Sequence, residues 1–297
     1  MTGGAIEHAS STRPWAYTAF PVSVSTVKRI TPNFLRVTFA GDTLEHFAPW
    51  GLDQRIKLVL PLHDGTITDF GLLQDPTPHP SEWYARWKRL PVDERNVLRT
   101  YTPSGIRPGA AEVDVDIFIH EPAGPVSLWA QSAQVGDRLV INGPDVRNGF
   151  TGYGLHWDPG SATKLLLIGD ETAFPAIANI HSSLGDGFEA EILVEASDPL
   201  DRELLPTGPG VQLGAPTAGP GSGFEPMVRE WGRRQLRADP SPADPHPACP
   251  ADDLYVWIAG EAGAVTRTRR YLAKELGIPK GRISFLGYWK EGGPLVA

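Results

Sequence analysis

Between Pro21 and about Gly143, apolar and polar residues alternate in short runs separated by turn residues. "VSVSTVKRI", "FLRVTFAG" and "RIKLVLP" show the pattern, and "EVDVDIFIH" shows it most cleanly, with Val113, Val115, Ile117 and Ile119 on one face. A period of two marks strands with one buried side. Several of them at short spacing predict a small antiparallel β-barrel. One helix is predicted within this region, starting near Gly124 and Pro125 and running through Leu128, Trp129 and Ala130.

After Trp157, Asp158, Pro159 and Gly160 the pattern changes. "KLLLIGD" is continuously apolar, as strands buried on both faces of a parallel sheet are. It leads into a helix with Ala173, Ile177, Ile180 and Leu184 on one face, Pro175 in its first turn and Gly185 at its end. "EAEILVEA", "LYVWIAGE" and "RISFLGYW" read as further strands, and Val265, Leu272 and Leu276 mark a helix buried along one side. Strands alternating with helices predict an α/β domain built on a parallel sheet. "GPGVQLGAPTAGPGSG" and the proline-rich "DPSPADPHPACP" are predicted to be loops without regular structure.

A chain of 297 residues exceeds what one core usually organises, so two domains are expected, 15–157 and 158–297. The net charge of -8, with both signs mixed along the chain, argues against nucleic acid or an anionic membrane as partner and favours a small molecule. The single cysteine, Cys249, precludes a disulfide framework within one chain and suits a reducing cytoplasm. The N-terminal stretch lacks a basic region followed by an apolar one, and no apolar run reaches bilayer length. The eight histidines show no ligand spacing, so no protein-bound metal is expected.

Three stretches carry candidate chemistry. "VLRTYTPSG" sets Arg99, Thr100, Tyr101 and Thr102 in one extended run, with Arg99 and Tyr101 on one face. A flavin diphosphate needs a cation, and its ring needs a flat partner and polar groups at its edge; this run has all of them. A barrel strand with an arginine and a tyrosine on its solvent side reads the same way. "HEPAGPVSLWA" opens a helix whose first amides, those of Val126, Ser127 and Leu128, attract phosphate, or else belong to an ordinary capped helix with Trp129 packing the barrel mouth. "IGDETAFPAI" and "AGEAG" place carboxylates at strand ends, where open parallel sheets bind ligands and where caps are also common. Neither is the glycine-rich dinucleotide fingerprint.

In order, "RTYTP", "DIFIHEPAGPVSLWA", "GDETAFPAI", "YVWIAGEAGAVTRTRRYLAKELG" and "GYWKEGG" resemble the siderophore-interacting proteins, flavin-dependent ferric-siderophore reductases related in fold to ferredoxin-NADP reductases. The likeness runs from about Pro21 to Gly293. It implies an FAD-binding barrel followed by a domain for NADH or NADPH. On this resemblance Arg99, Thr100, Tyr101 and Thr102 form the flavin strand, and Asp116, Phe118 and His120 the next flavin-contacting strand. Gly124, Pro125, Val126, Ser127, Trp129 and Ala130 form the turn and helix that take the diphosphate. Gly169, Asp170, Glu171, Thr172 and Ala173, with Gly260 and Glu261, match the nucleotide side, and Tyr288 and Trp289 match an aromatic pair that covers the flavin ring or guides nicotinamide onto it. Lys57 and Lys290 are the implied cations for an anionic ferric chelate; Arg55 shares a strand face with Lys57 but reads as a solvated arginine.

The chain departs from the pattern at Ser104 and Leu128, where the family often has basic or polar residues, and around Val211, where a glycine-proline loop replaces a segment rich in tryptophan and arginine. Arg267, Arg270 and Lys274 stand at helical spacing, either to meet a phosphate or as a solvated face. The expected activity is electron transfer from NAD(P)H through FAD to Fe(III) in a siderophore, in a cytoplasmic monomer, with no side chain acting as nucleophile or general acid. A general flavin or electron-transfer reductase and a non-catalytic siderophore-binding protein are the alternatives.

Overall fold

The computed structural model describes residues 15–237 and 253–293; the proline-rich stretch 239–250, with Cys249, lies outside them. The described residues form two compact units, one of residues up to Arg29 with Leu35–Leu155, the other of Ile30–Phe34 with the residues from His156 on.

In the first unit the alternating runs become β1 (Tyr17–Thr31), β2 (Phe34–Ala40), β3 (Ile56–Val59), β4 (Leu98–Tyr101), β5 (Gly105–Arg107), β6 (Glu112–Phe118) and β7 (Arg138–Pro144), in one sheet of order β4-β3-β7-β1-β2-β6-β5. β4 and β5 are its opposite edges, although only residues 102–104 separate them in the chain. The sheet is therefore a half-barrel, closed at this seam by a covalent turn and not by a hydrogen-bonded ladder. Inside it lie Phe20, Val22, Val37, Phe39, Ile56, Leu58, Val113, Val115, Ile117 and Ile141, all 5% exposed or less. The predicted face of β6 is the one that faces this core.

The expectation of a single helix in this region was too few. Besides α2 (Pro125–Ser132), α1 (Pro80–Arg89) forms with Pro80 in its first turn. α1 exists because the outer face of β3, β4 and β7 is also apolar: Val59, Leu98 and Val140 pack with Phe70, Leu72 and Trp83 in a second core. Trp83 and Trp87, one helical turn apart, are the signal that a strand-by-strand reading passes over.

The second unit is a sheet of order β10-β9-β8-β11-β12, with every neighbouring pair parallel. Its elements are β8 (Lys164–Gly169), α3 (Phe174–Ser183), β9 (Glu189–Glu195), β10 (Val211–Gly214), α4 (Glu225–Arg237), β11 (Leu254–Glu261), α5 (Ala262–Lys274) and β12 (Ile283–Trp289). The central strands β8 and β11 are the continuously apolar runs, as burial on both faces requires. The sequence assigned Val211 and its neighbours to a loop. They form β10, whose Val211 and Leu213 sit opposite Ile192 and Val194 of β9. Four residues between glycines carry too little periodicity to announce a strand, and only the β9 edge makes them one. α4, likewise unassigned, buries Val228 and Trp231 with Val265 and Leu272 of α5.

Candidate functional site

Around the barrel seam, local sequence decides which side chains are committed and which are not. In the β3–β4 ladder, Ile56 stands opposite Tyr101, Lys57 opposite Thr100 and Leu58 opposite Arg99. Arg99 and Tyr101 therefore share the face of Ile56 and Leu58, while Thr100, Lys57 and Asn142 form a polar row on the other face. Arg99 donates one N–H to the carbonyl of Leu98 at 2.9 Å, which leaves the rest of its fork available. Tyr101 rests on the barrel core, and its burial pushes the phenol above its ordinary pKa, so the ring is neutral and fixed. Thr102 is buried. Lys57 donates to the Thr100 hydroxyl at 3.3 Å, and burial, then the Arg55 charge, pushes its ammonium pKa down.

Two buried polar atoms here lack a hydrogen-bond partner among the described residues: Ser104 Oγ, in the turn that makes the seam, and Asn142 Nδ2, in the row beside Lys57. Buried polar atoms without partners are rare and point to a missing one. α2 adds a third open feature. Its cap residue Gly124 offers no side chain to the first-turn amides, and Pro125 has none of its own, so the N–H groups of Val126 and Ser127 begin the helix without a side-chain cap. The Ser127 hydroxyl donates to the carbonyl of Phe118 at 3.0 Å, tying the helix start to the end of β6. There Phe118 and His120 stack at 5.9 Å, with His120 Nε2 3.6 Å from where a Gly124 Cβ would stand.

Other predicted residues are already engaged by residues of the barrel itself. Asp116 is gripped bidentately by Arg36 at 2.7 and 2.8 Å. Trp129 stacks on Phe39, while Val126 and Ala130 belong to the core. Open donors, a guanidinium fork with one N–H engaged and a flat ring are the kinds of group that fit a flavin dinucleotide.

The carboxyl ends of the parallel strands are built differently. Asp170 is 2% exposed and accepts from Thr172 N at 3.0 Å, Glu261 N at 2.8 Å and Trp289 Nε1 at 2.8 Å, and from the Thr172 hydroxyl. Glu171 accepts from the backbone and hydroxyl of Ser197, and Glu261 caps α5 through Ala264 N. Gly260, at φ +146°, leaves no room for a Cβ against the Asp170 carboxylate, and Gly169 would place one 2.6 Å from Ala173 Cβ. Burial pushes Asp170 above the usual carboxylate range and Glu171 up to about 7. These carboxylates are caps and clamps first.

Trp289 is held by Asp170, Tyr288 meets Trp257 edge-on at 6.3 Å, and Lys290 is exposed. Arg267 is paired with Glu225 at 2.8 Å and donates to Pro220 O at 3.0 Å, and it lies with Arg270 and Lys274 on a solvent-exposed helix face. Among the described residues no group of three or more His, Cys, Asp or Glu is placed to hold a metal ion. Sequence reasoning missed Asn142, indistinguishable from any strand polar residue, and Glu195, which ends an apolar strand just as Glu261 does.

Comparison with known proteins bears on the same two regions. Residues 23–148 match the siderophore-interacting FAD-binding domain, and residues 162–292 match the siderophore-interacting protein domain. The chain is 27% identical over 281 residues to the NADPH-dependent ferric-chelate reductase of Escherichia coli, covering 90% of this chain and 91% of that one. It is 28% identical over 272 residues to the mycobactin import ATP-binding/permease protein IrtA of Mycolicibacterium smegmatis, of which it spans 26% of the length. A siderophore utilization protein from T. fusca has the same fold, with a TM-score of 0.69 at 25% identity over 95% of this chain and 97% of that one. A half-barrel, a parallel sheet and these matches along both place the chain in the siderophore-interacting protein family.

Proposed function

We propose that the protein is an FAD-dependent, NAD(P)H-oxidising ferric-siderophore reductase. The observation that carries this reading is the barrel seam, where Ser104 Oγ has no partner among the described residues and Arg99 and Tyr101 end the neighbouring edge strand, together with the uncapped start of α2 in the same unit. FAD, when bound, supplies what side chains cannot: it accepts the two electrons of a hydride and releases them one at a time.

The chain's own part is to bind and orient. Arg99 meets the diphosphate with its free N–H groups, and the amides of Val126 and Ser127 add to it through the helix dipole. Tyr101 gives a flat surface already immobilised by the core, so little ordering accompanies binding. Lys57 in the first unit, lying on Thr100 at 3.3 Å, and Lys290 in the second are each a candidate cation for an anionic ferric chelate. Hard siderophore oxygens hold Fe(III) more tightly than Fe(II), so electron delivery loosens the metal and leaves the chelator whole. No side chain acts as nucleophile or general acid. In this reading residues 15–157 are the flavin domain and 158–297 the nucleotide domain of a cytoplasmic monomer that uses neither nucleic acid nor membrane.

The test is anaerobic incubation of the FAD-loaded protein with NADH or NADPH and a panel of ferric siderophores, with ferrozine trapping the Fe(II) formed. Nucleotide-dependent Fe(II) release is expected. Oxidation of nucleotide with no preference for ferric chelates would instead identify a general flavin reductase. A colourless protein that binds the chelate without consuming nucleotide would identify a carrier.

A further inference from the structure

Ser104 Oγ is buried without a hydrogen-bond partner among the described residues, in the three-residue turn that joins opposite edges of the first sheet. A hydroxyl in that state points to a missing partner. The turn does not fix its own place. β4 and β5 are not neighbours in the sheet, so the position of the turn depends on how β5 is held to β6. β5 has only three residues, Gly105, Ile106 and Arg107, which stand opposite Asp114, Val113 and Glu112. An edge ladder that short opens easily.

Asp114 and Arg107 supply the extra hold. The carbonyl oxygen of Asp114 accepts from Ser104 N at 2.9 Å. Its carboxylate, on a residue 6% exposed, accepts from Arg107 at 2.6 and 2.8 Å and from the Thr38 hydroxyl of β2 at 2.8 Å. Arg107 also donates to Glu112 at 2.9 and 3.1 Å, so one guanidinium spans two carboxylates of β6. Forked charge-assisted bonds fix direction as well as distance. The fork lies against Gly105, where a Cβ would stand 2.8 Å from Asp114 Oδ2 and 3.1 Å from Arg107 Nη1. The ion pair is thus packed on the residue that follows Ser104.

The Arg107 side chain is 42% exposed, and ion pairs open to solvent add little to stability. Their effect is felt in what they hold. We propose that Arg107 is a positioning residue for FAD: through Asp114 it keeps the seam turn in the one place where the Ser104 hydroxyl meets a polar atom of the dinucleotide. Arg107 does not touch the ligand; it acts through the turn. The inference rests on FAD binding by the first unit, whose residues 23–148 match an FAD-binding domain.

A double-variant cycle tests it. FAD is titrated by flavin fluorescence into full-length protein freed of flavin, for wild type, Arg107→Gln, Ser104→Ala and the two combined. R107Q is expected to weaken FAD binding about threefold, S104A about threefold, and the double variant also about threefold, because both changes remove the same contact. Independent effects multiply to about ninefold and would overturn the inference. Wild-type FAD affinity in R107Q would do so too, even with a lowered urea midpoint. Hydrogen exchange at the Ser104 amide is expected to quicken in R107Q and not in S104A, which keeps the bond to Asp114 O. Equal exchange in the two variants would count against the inference. If R107Q does not fold, Thr38→Val, which removes another partner of the same carboxylate, takes its place in the cycle and is judged alike. Wild-type protein that binds FAD, with R107Q indistinguishable from it, sinks this inference alone. Wild-type protein that binds no FAD sinks the reductase reading with it.

Discussion

The barrel seam and the carboxyl ends of the parallel strands both gather polar groups, but in opposite states. At the seam, Ser104 Oγ has no partner among the described residues, and α2 in the same unit starts without a side-chain cap. At the strand ends, Asp170, Glu171, Glu195 and Glu261 each accept from nearby backbone amides. The difference teaches that polar residues in a suggestive place are evidence for a ligand only when the fold leaves them unsatisfied. The carboxylates at the strand ends have supplied their own partners.

The contrast is broken most strongly at Gly260. A Gly260→Ala side chain would meet the Asp170 carboxylate at a φ of +146°, and is expected to destabilise the protein by about 3 kcal/mol, read by urea unfolding followed through tryptophan fluorescence.

Glu171 gives the next largest effect, with a pH signature. Its folded pKa of about 7 lies above the ordinary 4.5, so the folded state holds this proton to higher pH than the unfolded chain does. The stability it contributes is complete below about 4.5 and drains away as pH rises to about 7, by about 3 kcal/mol in all. Glu171→Gln, which keeps an acceptor for Ser197, is expected to be more stable than wild type at pH 8 and to flatten the profile between pH 4.5 and 7, measured by urea midpoints across that range.

At the seam, Arg99→Ala is expected to weaken FAD binding by about 2 kcal/mol, roughly thirtyfold, through loss of charge-assisted bonds to the diphosphate, read by flavin fluorescence titration. Retention of wild-type flavin content would remove Arg99 from the site. Lys57→Met is expected to raise the KM for an anionic ferric chelate about fivefold, with a weaker salt dependence than wild type, measured by ferrozine assay at two ionic strengths. The smallest effect sharpens the contrast most. Ser104→Ala should leave the FAD-free protein within about 0.5 kcal/mol of wild type, because nothing among the described residues uses that hydroxyl, while lowering FAD affinity about threefold.

Much of the fold was legible because periodicity is written residue by residue. The alternation of Val113, Val115 and Ile117 and the apolar runs of β8 and β11 are local facts, and the structure keeps them. α1 and β10 were not legible, because each depends on a surface built elsewhere: α1 on the outer apolar face of β3, β4 and β7, β10 on the free edge of β9. For the site, the sequence placed Arg99 and Tyr101 on one face and a helix start at Gly124. It did not reveal that Asp116 is taken by Arg36, that Trp129 packs on Phe39, or that Arg267 is paired with Glu225.

By itself, then, the order of residues determined the strongly periodic elements, the two-part architecture and which chemical groups the chain carries, since these follow from spacing along one strand or one helix. Whether each group is open to a ligand was decided only by the tertiary structure. A hydrogen bond joins atoms far apart in the chain, as Arg36 to Asp116 and Trp289 to Asp170 do, and no local pattern records that the partner has arrived.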